Sequence, residues 1–312
     1  MQSALQILSL TAPLFLLVAL GYVLARFGGW QGVVSDALAK FVFTVAVPAL
    51  LFQLMSDFSK LPRVDPWLLV AYFGGTFIVY ATAIGLGRTV FAQNGETASV
   101  FGMGAVFANT VLLGIPLTRV TLGERAIPAI SLVIVFNSLV LWTLVTVSVE
   151  WARHRTPSIL GLLRTARGVA LNPIVASILI GTAFGFTGLK LPGMVDRTIA
   201  LLGDAAAPLS LIALGMSLQE FGVREGWRES VAMTTLKLAV LPLVVYGFAR
   251  ALGLPPLETQ AITVLAALPV GANVYLMAKA FGSLGGPVSS SIVLSTALSA
   301  LTTPVVIALT AG

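Results

Sequence analysis

The sequence predicts an all-α integral membrane protein: ten transmembrane helices form two inverted five-helix repeats, with helices 4 and 9 broken and crossing. Three observations lead to this fold class: the shortage of charged residues, the long apolar runs and an internal repeat. The 312 residues include 18 Lys or Arg and 12 Asp or Glu. These make up 10% of the chain, whereas soluble domains carry about 25%. Because a soluble domain could not cover its surface with so few charges, a soluble enzyme is nearly excluded.

Continuous apolar runs such as LSLTAPLFLLVALGYVLA are typical of spanning helices, which need roughly 20 apolar residues, and not of alternating β-barrel strands. Ten such stretches, numbered spans 1 to 10, lie approximately at residues 4–25, 36–56, 66–88, 98–119, 126–149, 169–187, 196–218, 230–251, 258–280 and 287–310. No Lys or Arg precedes span 1, and Arg26 follows it. We therefore expect span 1 to be retained and not cleaved as a signal peptide.

The chain shows an internal repeat. Five pairs of identical residues are separated by 160 positions: Pro13 and Pro173, Gly21 and Gly181, Asp36 and Asp196, Pro48 and Pro208, and Trp67 and Trp227. Further along, ANTVLL at 108–113 corresponds to ANVYLM at 272–277. The repeats cover residues 1–150 and 169–312, and each holds five spans. Since five is odd, the second repeat enters the membrane from the opposite side, an architecture typical of secondary transporters.

Lys and Arg are distributed unevenly between the two sides of the bundle. Ten lie on the side that includes the loop between spans 5 and 6, and seven lie on the other. Four of the ten lie close to span ends in that loop, namely Arg153, Arg155, Arg164 and Arg167. By the positive-inside rule, we expect this linker, residues 151–168, to be cytoplasmic. We expect the protein to be integral to the cell (inner) membrane, with both termini on the extracytoplasmic side. Orientation and anionic lipid then explain the net charge of +6 better than nucleic-acid binding does.

Span 4 contains a predicted break. It carries FANTVLLGIPL, in which Asn109 lies near mid-span and is followed by Gly114, Ile115 and Pro116. Proline removes a backbone donor and clashes with the preceding turn, and glycine weakens a helix. We therefore expect residues 109–116 to be unwound or kinked. Pro48 and Pro208 lie in the middle of spans 2 and 7, where we expect structural kinks, with a hinge role as the alternative.

Span 9 contains the matching break. In AALPVGANVYLMAKAFG, Pro269 and Gly271 interrupt the helix just before Asn273. Irregular backbone is tolerated at membrane depth only where protein buries it or a wet cavity receives it, so we expect the two breaks to meet near the bundle centre. Freed amides at the half-helix N-termini would favour an anion. For either break alone, a proline kink with a packed Asn is the better interpretation; their pairing favours a binding site.

Two charged residues fall inside the spans. Asp204 on span 7 and Lys237 on span 8 lie at depths of roughly 12 and 10 Å from opposite faces of a core about 30 Å thick, so an ion pair is geometrically possible. Intramembrane ionisable residues are candidates for coupling, whereas snorkelling of Lys237 and hydrogen-bonded packing of Asp204 are the alternatives. Asn137 on span 5 and Tyr275 are weaker candidates for binding.

Several function classes are disfavoured by the sequence. The chain has no cysteine and one histidine, His154, which lies in a loop; this disfavours a metal centre and the familiar intramembrane proteases. No GxxxxGK[ST] occurs, so ATP hydrolysis through a P-loop is not expected. No polar stripe on several helices or repeated filter segment indicates a channel.

The residues at the breaks resemble a known family. NTVLLGIPL at 109–117, LPVGANVYLMAKAFG at 268–282 and FTVAVPALLF at 43–52 resemble the auxin efflux carriers, which include plant PIN-type carriers and bacterial permeases for malonate and malate. The resemblance implies the fold of the bile acid sodium symporters, a scaffold of helices 1, 2, 6 and 7, and a homodimer. It matches Asn109, Pro116, Pro269, Gly271 and Lys279 to the family's crossover. The short linker and Asn273 in the unwound stretch indicate the bacterial branch.

We therefore predict a secondary carrier for a small organic anion, such as a dicarboxylate or an auxin-like carboxylate, that works by alternating access. The candidate substrate-binding residues are Asn109, Thr110, Gly114, Ile115, Pro116, Pro269, Gly271, Asn273, Tyr275 and Asn137. Asp204 and Lys237 are the candidates for charge tuning or coupling. No cofactor is expected; coupling to H⁺ is favoured over Na⁺ because the breaks contain no acidic residue. A Na⁺-coupled symporter, a channel-like uniporter and a ligand sensor without transport remain alternatives.

Overall fold

The computed structural model describes residues 4–30, 32–56, 65–154, 171, 173–219 and 226–311. The cytoplasmic-linker prediction falls mostly on residues 155–170, which lie outside the described residues, as do Arg155, Arg164 and Arg167. Within the described residues, all regular secondary structure is helical apart from one isolated β-bridge. This confirms the all-helical class.

The described residues of the first half form seven α-helices. Their bounds are α1 Ala4–Phe27, α2 Gly32–Phe41, α3 Val47–Met55, α4 Trp67–Thr89, α5 Gly95–Val106, α6 Ile115–Leu122 and α7 Ile127–His154. The π turn Val42–Ala46 joins α2 to α3, the π turn Thr110–Gly114 leads into α6, and a 3₁₀ turn, Glu124–Ala126, precedes α7.

The described second half forms seven more. Their bounds are α8 Pro173–Phe186, α9 Gly193–Leu218, α10 Trp227–Thr235, α11 Leu241–Ala251, α12 Pro256–Ala266, α13 Asn273–Phe281 and α14 Gly285–Thr310. The π turn Leu236–Val240 joins α10 to α11.

Among the residues that the structure describes, six helical stretches are long and apolar enough to cross a membrane: Gly32–Gln53, Trp67–Thr89, Glu124–Ala152, Gly193–Leu218, Trp227–Ala251 and Gly285–Thr310. Three shorter apolar helices accompany them: Thr11–Phe27, Thr110–Leu122 and Pro173–Phe186. The predicted membrane class agrees with these stretches, while the total of ten spans stays a prediction.

Each π turn ends two residues before a proline. Pro48, Pro116 and Pro242 all lie at the start of the α-helix that follows such a turn. A proline ring presses on the carbonyl four residues back and offers no N–H. The wider turn, in which Val47 donates its N–H to the Val42 carbonyl, accommodates that ring without ending the helix. Pro116 therefore lies in a helix, so of the two alternatives expected for residues 109–116, unwound or kinked, an unwound chain at Pro116 is wrong. Pro208 lies inside the continuous helix α9.

Glycines allow two pairs of helices to pack backbone to backbone. A Cβ at Gly215 on α9 would lie 1.9 Å from the Val18 carbonyl oxygen of α1, and a Cβ at Gly21 would lie 2.2 Å from the Ile212 oxygen of α9. On α8, a Cβ at Gly181 would lie 2.8 Å from the Phe52 oxygen of α3. Helix α1 thus packs closely on α9, and α8 on α3.

Helices α5 and α12 lie in the centre of the bundle. Every residue of α5 from Ala98 to Val106 is buried, and so is every residue of α12 from Ala261 to Ala266. A helix that is apolar and buried on all sides belongs to the core. The ends of these two helices therefore meet away from the outer surface of the protein.

Candidate functional site

The chain leaves helical geometry at two places that touch each other. Helix α5 ends at Val106 and the following π turn begins at Thr110, while α12 ends at Ala266 and α13 begins at Asn273. Between these ends, Ala108 and Val270 form an antiparallel bridge. We call residues 107–109 and 269–271 together the backbone bridge.

Hydrogen bonds satisfy the freed backbone of the backbone bridge. The Asn109 N–H donates to the Pro269 carbonyl and the Gly271 N–H donates to the Phe107 carbonyl, each at 2.9 Å. The Val270 N–H donates to the Ser295 hydroxyl oxygen on α14 at 3.0 Å. Since unpaired backbone groups in the bilayer cost several kcal/mol, these bonds explain how two irregular segments persist in the centre of the bundle.

Asn109 itself sits in a tight turn. Its φ of −78° and ψ of 66°, together with the 2.9 Å bond from the Thr110 N–H to the Ala108 carbonyl, define an inverse γ-turn. The Asn109 carbonyl also accepts from the Gly114 N–H at 3.1 Å. The turn interrupts the helical backbone between α5 and the π turn that leads into α6, and it places Asn109 at the bridge.

Gly271 is required for the close approach of the two segments. A Cβ at this position would lie 2.9 Å from the Ala108 carbonyl oxygen and 3.1 Å from its carbon. Because both atoms belong to backbone, no side-chain rotation could relieve the overlap. Glycine at this position thus allows the bridge to form.

A cavity of about 50 Å³ lies beside the backbone bridge. Five predicted site residues line it: Asn109, Thr110, Asn137, Gly271 and Asn273. The lining residues that sequence analysis missed are Phe43, Phe107, Ala108, Val111, Leu112, Ile134 and Ala272. Phe43 comes from the π turn of span 2, and only its place in the quoted motif FTVAVPALLF pointed to it. The cavity has room for a few water molecules.

Two buried amides in this cavity lack partners. Asn109 is 6% exposed and Asn137 is 2% exposed. Within the described part of the chain, the Asn109 Nδ2 and the Asn137 Oδ1 have no hydrogen-bond partner. Buried polar groups are almost always satisfied, so a donor and an acceptor left open at one cavity indicate a place for a polar ligand or for water.

The other predicted residues around the breaks do not line the cavity. Gly114 packs α6 against the second segment, since a Cβ there would lie 2.8 Å from the Leu268 Cδ1. Ile115 and Pro116 are buried in α6, and the Pro269 carbonyl serves the bridge. Tyr275 is half-buried in the first turn of α13. The side chain of Lys279 lies outside the described part of the structure.

Asp204 and Lys237 have different partners, so the ion pair that their depths allowed is not formed. Lys237 is fully buried, and its Nζ donates to the carbonyl of Ala266, the last residue of α12. Asp204 has a side chain that is 70% exposed, and its Oδ1 lies 3.7 Å from the Arg119 Nη2. That nitrogen also lies 3.2 Å from the Glu124 Oε1.

Lys237 occupies a helix terminus next to the break. The last carbonyls of a helix lack intrahelical partners, and the C-terminus carries partial negative charge. The Lys237 ammonium at Ala266 donates a hydrogen bond to one of these carbonyls and places a positive charge at the C-terminus of α12.

In the described residues, no group of three or more His, Cys, Asp or Glu could hold a metal ion.

Comparison of the sequence with known proteins identifies its family. The chain matches the family described as "Membrane transport protein" over residues 6–307. It is 28% identical over 303 residues to a protein of Rhizobium meliloti (strain 1021) named "Putative malonate transporter", covering 95% of this chain and 93% of the relative. It is 23% identical over 331 residues to Auxin efflux carrier component 8 of Arabidopsis thaliana, covering 88% and 89%. An uncharacterised transporter of Methanocaldococcus jannaschii is 24% identical over 300 residues, covering 92% and 93%.

Proposed function

The chain belongs to the membrane transport protein family, that of the auxin efflux carriers, and we propose that it is a secondary carrier for small organic anions. Its family and relatives are transporters, so it is a membrane transporter and not an enzyme. The substrates we propose are dicarboxylates such as malonate or malate, or an auxin-like carboxylate. The observation that carries this proposal is the cavity at the backbone bridge, where, among the described residues, one polar atom of each of two buried amides has no partner.

We further propose ten spans in two inverted repeats, residues 1–150 and 169–312, with a cytoplasmic linker at 151–168 and both termini outside. Two observations support the repeat. The breaks occupy corresponding places in the two halves and pair with each other. Gly21 and Gly181, 160 positions apart, both lie where a helix touches another backbone closely: α1 meets α9, and α8 meets α3. A two-fold axis that exchanges the repeats would map the contact between α1 and α9 onto the contact between α8 and α3.

Substrate binding would use the amides at the bridge. Helix α13 begins at Asn273, and the dipole at its N-terminus favours a carboxylate. The Asn109 and Asn273 side chains line the same cavity. Because about 50 Å³ is far below the roughly 300 Å³ of the smallest common ligand clefts, the substrate requires the helices facing the bridge to move away from it. That movement is the alternating-access step.

Coupling is proposed to use H⁺. Lys237 caps the half-helix α12 at the break, so the loss or gain of its proton would change the charge at that helix end. Asp204 lies beside Arg119, where it would tune the charge around the outer end of span 4. Within the described residues, the helix ends at the break contain no carboxylate that could hold Na⁺, a cation that prefers oxygen ligands.

The test is uptake by the purified protein in proteoliposomes. Labelled malonate, malate, other dicarboxylates and indole-3-acetate are offered under imposed pH, Na⁺ and voltage gradients. Asn109→Ala and Asn273→Ala are compared with Thr82→Ala, a control at an exposed residue whose hydroxyl bonds within its own helix. Saturable uptake, counterflow and loss of affinity in both Asn variants are expected. If both variants transported with wild-type rate and affinity, the site would be wrong; uptake without counterflow would indicate a channel.

A further inference from the structure

We propose that the cavity at the backbone bridge selects organic acids with a single negative charge, and that Asn137 determines this by accepting a hydrogen bond from a neutral group of the substrate. The acid would be a monocarboxylate with a donor group or a dicarboxylate with one carboxyl protonated. This inference rests on the proposed function and specifies the charge state of the species carried.

The cavity offers little positive charge. Among its described lining residues, none is Lys, Arg or His. Lys237 is directed to the Ala266 carbonyl, and Arg119 is engaged with Glu124 and Asp204. The N-terminus of α13 supplies the equivalent of about half an elementary charge. An unpaired charge is costly to bury. The partial positive charge at α13 offsets part of this cost for one carboxylate, and a second carboxylate would have no positive charge to offset its cost.

The hydrogen-bonding groups of the cavity are of opposite kinds. The Asn109 Nδ2 is an open donor and the Asn137 Oδ1 is an open acceptor. An ionised carboxylate only accepts hydrogen bonds, so it satisfies Asn109 but repels the Asn137 oxygen. A protonated carboxyl, a hydroxyl or an amide N–H would satisfy Asn137. The pair therefore matches a substrate that is anionic at one end and a neutral donor at the other.

The two amides come from different elements. Asn109 lies on the backbone bridge, whereas Asn137 lies in α7, opposite the breaks. A substrate joining them would contact both walls of the cavity. Asn109 would donate a hydrogen bond to the charged carboxylate, and Asn137 would accept a hydrogen bond from the neutral group.

Ionisable side chains of the surrounding helices lie outside the cavity lining. Those with described side chains are Asp36 and Lys40 on α2, Glu96 on α5, Arg119 on α6, Glu150 on α7 and Tyr275 on α13, and none of them is among the lining residues. A pH dependence of malonate affinity that malonamate lacks would therefore arise from the substrate.

The experiment compares three labelled acids in proteoliposomes between pH 5 and 8. Malonate has two carboxyls, malonamate has one carboxylate and an amide donor, and monomethyl malonate has one carboxylate and no donor. Above the second pKa of malonic acid, its singly charged fraction falls about tenfold per pH unit. The apparent KM for total malonate should rise in the same proportion, while the KM for malonamate stays constant. The ester should bind about tenfold more weakly than malonamate, as expected for one lost hydrogen bond.

A substitution isolates the acceptor. In Asn137→Leu, which has a similar volume, malonamate and the ester should bind equally; Asn137→Ala provides a second variant if the first does not fold. A malonate KM that stays constant or falls with rising pH would overturn the inference alone, as would equal binding of malonamate and ester by the wild type. No uptake or binding of these three acids, of the other dicarboxylates or of indole-3-acetate would overturn the proposed function and this inference with it.

Discussion

Substitution of Gly271 by alanine tests whether the backbone bridge forms the binding site. Ordinary van der Waals contact begins near 3.4 Å, and a Cβ at Gly271 would lie 2.9 Å from the Ala108 oxygen. The segments must therefore separate by the difference, 0.5 Å. Such a shift would stretch both 2.9 Å hydrogen bonds, Gly271 to Phe107 and Asn109 to Pro269.

The expected magnitude follows from overpacking. Adding a methyl group to a well-packed interior costs about 1–3 kcal/mol, which corresponds to about 5 to 150-fold in an equilibrium constant. If the strain is relieved by opening the bridge, the cost falls on the substrate-binding geometry. We expect the apparent KM of Gly271→Ala to rise within that range, while the protein stays folded in detergent.

The assay measures initial uptake rates in proteoliposomes together with thermal unfolding of the purified protein. Gly85→Ala is the matched control, because Gly85 lies inside α4 with nothing within 4 Å of a Cβ, and alanine favours a helix. The reasoning would be refuted by a Gly271→Ala protein whose KM and unfolding temperature both equal those of the wild type.

Three further predictions concern charge and packing. Lys237→Met should abolish accumulation of malonamate driven by a pH gradient while leaving counterflow, because the ammonium at Ala266 is lost; full accumulation of malonamate would contradict a coupling role. Asp204→Asn should change unfolding stability by less than about 1 kcal/mol, since its contact with Arg119 is exposed and screened, and a larger loss in thermal unfolding would argue against this. Gly215→Ala should destabilise the protein by about 1–3 kcal/mol, because a Cβ would overlap the Val18 oxygen; an unfolding temperature equal to that of Gly85→Ala would show that α1 and α9 separate easily.

The sequence predicts the helical class and the second break well, for local reasons. Apolar composition requires a bilayer, and Pro269 with Gly271 cannot continue a helix, so α12 ends at Ala266. For residues 109–116 the sequence predicts only an unwound or kinked chain, because proline breaks or kinks a helix by rule. The π turn before Pro116 accommodates the ring, and no pattern in the letters TVLLG distinguishes a π turn from an α turn.

The remaining features of the site depend on tertiary contacts. The pairing of Ala108 with Val270 arises from the approach of two segments more than 150 residues apart. Depth along a helix gives a height in the membrane but no rotation, and therefore Asp204 was matched to Lys237 while its side chain lies near Arg119. Asn137 is only a weaker candidate from the sequence, because the letters of an apolar span do not show which face of the helix meets the cavity.

The backbone bridge also limits how the molecule can move. Two hydrogen bonds tie the broken segments to each other, and a third ties Val270 to Ser295 on α14. Separating the segments would leave these backbone groups unpaired, at a cost of several kcal/mol in the bilayer. We therefore expect the two broken segments to move together as one rigid body. The proposed alternating access would then take place at the boundary between that body and the elements that carry Phe43, Ile134 and Asn137.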